Sequence, residues 1–149
     1  MRFNVAAVAP ILATVCGCAG PELPAGWEGA EEIDVVQTPC DGSPSGPYDH
    51  DAQAALHNDE LNGSWITSFR CMQNACMYYI DESTTLRFLA QPCDMHPDKV
   101  AKCACLSRVA FSVSCDQEAV HVEFFKGYDA HAGEPDPPTL DFEGDVVSQ

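Results

Sequence analysis

Nine cysteines carry most of the covalent chemistry that this chain offers. They stand at positions 16, 18, 40, 71, 76, 93, 103, 105 and 115 of 149 residues. At this density, cysteines form disulfide bridges in an oxidising compartment, and metal or redox sites in a reducing one. The chemistry therefore depends on the compartment to which the chain is delivered.

The N-terminus predicts export. Arg2 supplies a positive charge, Phe3 to Val15 is mostly apolar, and the first acidic residue is Glu22. A short basic start followed by such a run is typical of a secretory signal. The run is too short for a membrane-spanning helix, which needs about 20 apolar residues. We expect residues 1–17 to be removed as a signal peptide.

The segment Val15-Cys16-Gly17-Cys18 resembles the lipobox of bacterial lipoproteins. The resemblance implies that Cys18 becomes the mature N-terminus and carries acyl chains, including palmitate, which anchor firmly when two or three are present. In such lipoproteins an Asp directly after the lipidated cysteine favours retention at the inner membrane. This chain has Ala19 at that position, which implies the outer membrane of the cell envelope. The alternative is ordinary cleavage after Ala19, which gives a periplasmic or secreted protein.

Export predicts that the remaining cysteines form disulfides. The candidates are Cys71, Cys76, Cys93, Cys103, Cys105 and Cys115. Cys40 is the odd, unpaired candidate, although Cys18–Cys40 becomes possible if Cys18 is not lipidated. The best motivated pair is Cys71–Cys76, because Gln73-Asn74 between them is typical of a tight hairpin turn. Fifteen pairings of the six remain open.

Metal sites are not predicted. Cys103 and Cys105 with Cys93 and His96 fit no zinc spacing. On the predicted helix, His50 and His57 are about 10 Å apart, which is too far for both to bind one ion. His121 is interpreted as a surface or structural residue. The acidic residues Asp136, Asp141, Glu143 and Asp145 fit no calcium loop. We expect no metal and no cofactor.

The charge distribution divides the chain. The formal net charge is −16, and no Lys or Arg occurs at 19–62 or 127–149. Without a basic surface, nucleic acid is excluded as a partner. We expect an acidic Pro/Gly-rich tether at 18–47, a cysteine-rich β domain at 48–126 and an acidic flexible tail at 127–149.

The β domain is predicted from alternation with period two. Around Trp65, Leu86, Phe111 and Val122, apolar residues alternate with polar ones, although Leu89 breaks the pattern. Asp81-Glu82-Ser83 and Asp116-Gln117-Glu118 are predicted hairpin loops. Residues 49–61 favour one short helix, with Asn62-Gly63 as its stop. The predicted fold is a mainly β, disulfide-stabilised antiparallel meander or partial barrel of about five strands.

Gly63-Ser64-Trp65 also resembles the Gly-x-Trp opening of lipocalin-like barrels. The resemblance implies an antiparallel barrel that holds a small apolar ligand, either closed with eight strands or shortened and open. Trp65, Phe69, Phe88 and Phe111 are the residues expected to line such a cavity.

No catalytic motif is present, so no enzymatic activity is predicted. The predicted function is a lipid-anchored binding module for an unknown protein or a small apolar ligand. The alternatives are a structural envelope lipoprotein without a discrete ligand, and an extracytoplasmic inhibitor that uses the loop 91–102.

Overall fold

A computed structural model describes residues 23–38, 51–70, 74–93, 104–127 and 137–149, with the backbone alone at 68–70 and 104–105. These residues form nine strands and no helix. The strands are β1 (Glu31–Ile33), β2 (Val35–Gln37), β3 (Ala52–His57), β4 (Glu60–Arg70), β5 (Ala75–Glu82), β6 (Thr85–Pro92), β7 (Ala104–Ser114), β8 (Ala119–Lys126) and β9 (Thr139–Val147).

The strands form two sheets that pack face to face as a sandwich. One sheet has the order β1-β5-β6-β8-β9 and the other the order β2-β7-β4-β3. All neighbouring strands are antiparallel except β6 and β8, which run parallel. The prediction of a mainly β domain is confirmed. The simple meander of about five strands is wrong, and the described strands form two sheets rather than one closed barrel.

The predicted helix at 49–61 is replaced by a β-hairpin. β3 and β4 pair from Ala52↔Trp65 to His57↔Glu60. Every second residue of β3 turns toward the core: Ala52 and Ala54 are partly buried and Leu56 is fully buried. The turn between them is Asn58-Asp59, with φ values of 52° and 60°. Asn and Asp tolerate this left-handed conformation, which a two-residue hairpin turn requires. Helix-favouring alanines in β3 concealed this alternation.

Asn62-Gly63, predicted as a helix stop, lies inside β4. Gly63 is directly opposite Phe111 of β7, and a β-carbon at this position would overlap the Phe111 ring. The glycine is therefore required by the close approach of a core aromatic ring.

Two predicted hairpins are in fact crossings between the sheets. β4 belongs to the four-stranded sheet and β5 to the five-stranded one, and the same change occurs between β7 and β8. Residues 71–73 lie outside the described part of the chain, and Asp116-Gln117-Glu118 connects the sheets instead of closing a hairpin. In contrast, the hairpin predicted between β5 and β6 is confirmed. Its turn is Ser83-Thr84, with Ser83 at φ 67°, whereas Asp81 and Glu82 of the predicted turn belong to β5.

The inner faces of both sheets form one apolar core. Its buried members are Leu56, Leu61, Trp65, Ala75, Met77, Leu86, Phe88, Ala90, Val109, Phe111, Val113, Cys115, Val120, Val122 and Phe124. The Phe88 ring lies 4.6 Å from that of Phe111 and 5.4 Å from that of Phe124, measured between centroids. Aromatic rings from both sheets therefore fill the space between them.

A second cluster covers part of the outer face of the five-stranded sheet. Trp27, Tyr78 and Leu89 are buried together there, which explains why Leu89 breaks the alternation of β6. Arg87 lies with Cζ 5.1 Å from the Trp27 ring and 4.9 Å from the Phe125 ring. Such cation–π contacts help to hold the N-terminal segment on the sheet.

Two segments predicted to be flexible belong to the folded domain. Residues 23–38, expected in the tether, carry Trp27 and the strands β1 and β2, which pair with β5 and β7. Residues 139–147, expected in the tail, form β9, which pairs with β8. Phe142 and Val146 pack against the core, whereas the acidic residues between them point outward, so composition alone suggested a solvated spacer.

A disulfide joins Cys76 to Cys93, with their Cα atoms 4.8 Å apart. It ties the start of β5 to the residue just after β6, where Cys93 N also donates to Asn74 O. The prediction of Cys71–Cys76 is therefore wrong, because β4 and β5 do not form the hairpin on which it depended. Cys115, another of the six candidates, is a free and buried thiol within the core, since its position follows the inward face of β7.

We expect Gly63→Ala to destabilise the protein by about 1–3 kcal/mol, because the Phe111 ring and the backbone must move apart to accept a methyl group. Urea denaturation measures the effect. Gly144→Ala in β9 is the matched control, because nothing lies within 4 Å of the position that its added methyl group would take. Equal stability of the two variants would contradict the close packing of Gly63 against Phe111.

We expect Cys76→Ser/Cys93→Ser to lower the unfolding free energy by about 3 kcal/mol, since the bridge closes a chain segment with a sequence separation of 17. Non-reducing peptide mapping of the wild-type protein checks the connectivity directly. A peptide containing Cys76 linked to Cys71 would contradict the bridge seen here.

Candidate functional site

The aromatic residues predicted to line a ligand cavity instead fill the core. Trp65 and Phe88 are completely buried and Phe111 nearly so. The Trp65 ring lies 5.7 Å from that of Phe124, and Phe88 stacks on Phe124 and contacts Phe111 at a tilt. The side chain of Phe69 is not described. These rings contact one another instead of enclosing a space for an apolar ligand.

The remaining predicted site residues lie mostly outside the described residues. This applies to Cys18, Cys40, Cys71 and Cys103, while Cys105 is described by its backbone alone. Lipidation of Cys18 and the fate of Cys40 stay predictions.

The structure brings four polar residues together on the outer face of the five-stranded sheet. His121 and Glu123 project outward from β8 because Val120, Val122 and Phe124 between and beside them point into the core. In the adjacent β9, Asp145 is opposite His121 and Glu143 is opposite Glu123. We call His121, Glu123, Glu143 and Asp145 the His121 cluster.

Two contacts fix the imidazole of His121. Its Nδ1 lies 2.7 Å from Asp145 Oδ1, and its Nε2 lies 3.7 Å from Glu143 Oε2. An ionised carboxylate can only accept hydrogen bonds, so Nδ1–H donates to Asp145. The other ring nitrogen is thereby directed toward the glutamates, and ligand atoms of His121, Glu123 and Glu143 all lie within 4.8 Å of one another.

Arg87 of β6 connects the cluster to the rest of the sheet. Its Nε lies 3.3 Å from Glu123 Oε2, and its NH1 lies 3.5 Å from Glu82 Oε1. Two glutamates directly opposite each other, such as Glu123 and Glu143, repel. Arg87 and a protonated His121 offset that repulsion.

Hydrogen bonding to Asp145 raises the pKa of His121 above its usual value. Partial burial acts in the opposite direction, while the charges of Asp145, Glu143 and Glu123 add to the increase. The imidazole therefore keeps its positive charge to a higher pH than a free histidine does.

A shallow groove begins beside His121 and Asp145 and leaves these two residues open to solvent. It is lined by Thr84, Ala119, Val120, His121, Asp145 and Val147. Its only described ionisable groups are His121 and Asp145. His121 contacts the carboxylates of Asp145 and Glu143, an arrangement that suits ion pairing and cation binding.

The sequence alone does not identify this cluster. It predicts His121 as a surface or structural residue, and it places Glu143 and Asp145 in an acidic tail whose residues fit no calcium loop. The available signal was alternation: His121-x-Glu123 and Glu143-x-Asp145 each place two polar groups on one face of a strand. That these two pairs of residues lie side by side follows only from the pairing of β9 with β8 in this register.

No protein-family model matches the chain, and neither a characterised protein nor a solved structure gives a match. Within the described ranges, no helix has the length and apolar character needed to cross a membrane.

We expect NMR titration in the presence of a chelator to give His121 a pKa above 6.5, and Asp145→Asn to bring it down toward that value. Because the folded-state pKa is raised, the stability contributed by His121 is full below the unfolded-state pKa of about 6.5. It is lost as the pH rises through the folded-state pKa. The charges of Glu143 and Glu123 also raise the His121 pKa, and the positive charge of Arg87 beside Glu123 acts against them. Asp145→Asn therefore removes only part of the increase in pKa.

Asp81→Asn is the control, since Asp81 lies on β5, which β6 and β8 separate from β9. A His121 pKa that is below 6.5, or that does not respond to Asp145→Asn, would contradict the hydrogen bond between the two residues.

Proposed function

We propose that this protein is a lipid-anchored, non-enzymatic binding module of the bacterial cell envelope, and that it recognises its partner on the surface of a disulfide-stabilised β-sandwich. The observation that carries the proposal is the filled core. Since Trp65, Phe88 and Phe111 lie in one buried cluster, with Phe88 against Phe111 and Trp65 against Phe124, a small apolar ligand between the sheets is disfavoured, and a protein partner bound outside is favoured.

Two features support an extracytoplasmic location. The segment Val15-Cys16-Gly17-Cys18 follows an apolar run and resembles a lipobox. The Cys76–Cys93 disulfide is of a kind that persists in oxidising compartments. With Ala19 after the lipidated cysteine, we place the protein at the outer membrane.

The charge of the chain defines the kind of partner. At a formal net charge of −16, long-range electrostatics favour encounter with a basic protein surface and disfavour anionic lipid and nucleic acid. The inhibitor alternative depends on the loop predicted at 91–102. Its first two residues, Gln91 and Pro92, belong instead to β6, and from 94 onward it lies outside the described residues. It stays a prediction, as does the structural role without a discrete ligand.

We expect the full-length chain, expressed in a bacterium with an outer membrane, to be recovered from the membrane fraction with an intact mass that begins at Cys18 and includes acyl chains. Cys18→Ala should abolish the added mass and the membrane association. Cys16→Ala is the matched control and should leave both unchanged. An unacylated mature protein in the wild type, or acylation that survives Cys18→Ala, would contradict the anchor.

The same preparation tests the mode of binding. Solvent extraction of the purified protein, followed by mass spectrometry, should release no apolar molecule at one equivalent per chain beyond the covalent acyl groups. A stoichiometric apolar ligand would restore the cavity alternative and contradict binding at the surface.

A further inference from the structure

The His121 cluster contains the donor atoms of a metal site as well as those of an ion-pair network. His121 offers an imidazole nitrogen, and Glu123 and Glu143 each offer a carboxylate oxygen. The three donors come from adjacent strands of one sheet, at directly opposed or next-but-one positions. Backbone hydrogen bonds between β8 and β9 therefore hold them together without reliance on a loop.

Asp145 orients the imidazole as metal-binding histidines are commonly oriented. A histidine ligand typically donates its second ring N–H to a carboxylate or a carbonyl, which fixes the tautomer and leaves the other nitrogen with a free electron pair. Here Nδ1 lies 2.7 Å from Asp145 Oδ1. Nε2 is the nitrogen that faces Glu143, at 3.7 Å from Oε2.

The distances require only a small adjustment. With metal–ligand bonds of about 2.0–2.2 Å, ligands in tetrahedral zinc sites are roughly 3.4 Å apart. The Nε2–Oε2 distance of 3.7 Å is close to this, and the widest separation among the three donor atoms is within 4.8 Å. Glu143 is among the more exposed members of the cluster, so its side chain is free to rotate inward.

The charges also favour a cation. Three carboxylates surround one imidazole, and Glu123 and Glu143 repel each other across the strand pair. Arg87 contacts Oε2 of Glu123, and because a carboxylate has two oxygens, this ion pair is compatible with a metal ligand role. Beside the cluster, a groove lined in part by Thr84, His121 and Asp145 is open to solvent.

We propose that the His121 cluster binds one first-row divalent metal ion of the Zn²⁺ class. His121 Nε2, Glu123 and Glu143 are the ligands, and Asp145 is the positioning residue. The imidazole donor selects this class over Ca²⁺ and Mg²⁺, which prefer sites made of oxygen ligands alone. The site is independent of lipidation at Cys18, so either proposal stands if the other fails.

The test is calorimetric titration of the full-length, disulfide-containing protein with Zn²⁺ at pH 7.5, after accessible thiols have been alkylated so that cysteines do not bind the metal. We expect one Zn²⁺ per chain and an increase in thermal midpoint on binding. His121→Ala and Glu143→Gln should each weaken binding at least roughly tenfold. Asp145→Asn should weaken it by roughly 10- to 100-fold, as is typical when the partner of a ligating histidine is removed.

Two variants serve as matched controls. His57→Ala removes a histidine from the other sheet, where it contacts Gln149 O, and Glu118→Gln removes one exposed negative charge just before β8. Both should bind Zn²⁺ as the wild type does. An absence of Zn²⁺ binding in the folded wild type would overturn the proposal. So would unchanged affinity in His121→Ala, or displacement of Zn²⁺ by equimolar Ca²⁺, since either would indicate a non-specific acidic surface.

Discussion

The contact between aromatic rings of the two sheets is the interaction on which the rest of this structure depends. Phe88 and Phe124 of one sheet meet Phe111 of the other at centroid distances of 4.6–6.0 Å. Once these rings point inward, the alternation of a strand determines which residues point outward. His121 and Glu123 are exposed because their neighbours on β8 are buried, so the core places the polar cluster as firmly as the cluster's own hydrogen bonds do.

The connections between the sheets explain how a small domain limits its open edges. β1 and β2 are two halves of one extended segment that joins a different sheet on either side of Asp34. At the other side of the sandwich, the end of β9 meets β3 through the Leu56↔Ser148 bridge. Unpaired strand edges promote association with other chains. In this protein β1, β2 and β9 cover such edges, although their composition suggested that they were part of a tether and a tail.

Strands with strong alternation were predictable, and their partners were not. β6, β7 and β8 follow from period two around Phe88, Phe111 and Val122. β3 resembled a helix because of its alanines, while β1 and β2 are too short for a periodic pattern, and the acidic residues of β9 concealed Phe142 and Val146. The local sequence also does not indicate whether two consecutive strands pair with each other or belong to different sheets. The error at Cys71–Cys76 has this origin, as does the failure to bring Asp145 to His121.

The docking of Trp27 on the outer face of the five-stranded sheet has a geometric consequence for the proposed anchor. Leu23 already packs beside Trp27, and it is five residues from Cys18. An extended chain spans at most about 3.6 Å per residue, so Cys18 is at most about 18 Å from Leu23. If Cys18 carries acyl chains as proposed, the folded domain is held within that distance of the bilayer, much closer than a thirty-residue tether would allow.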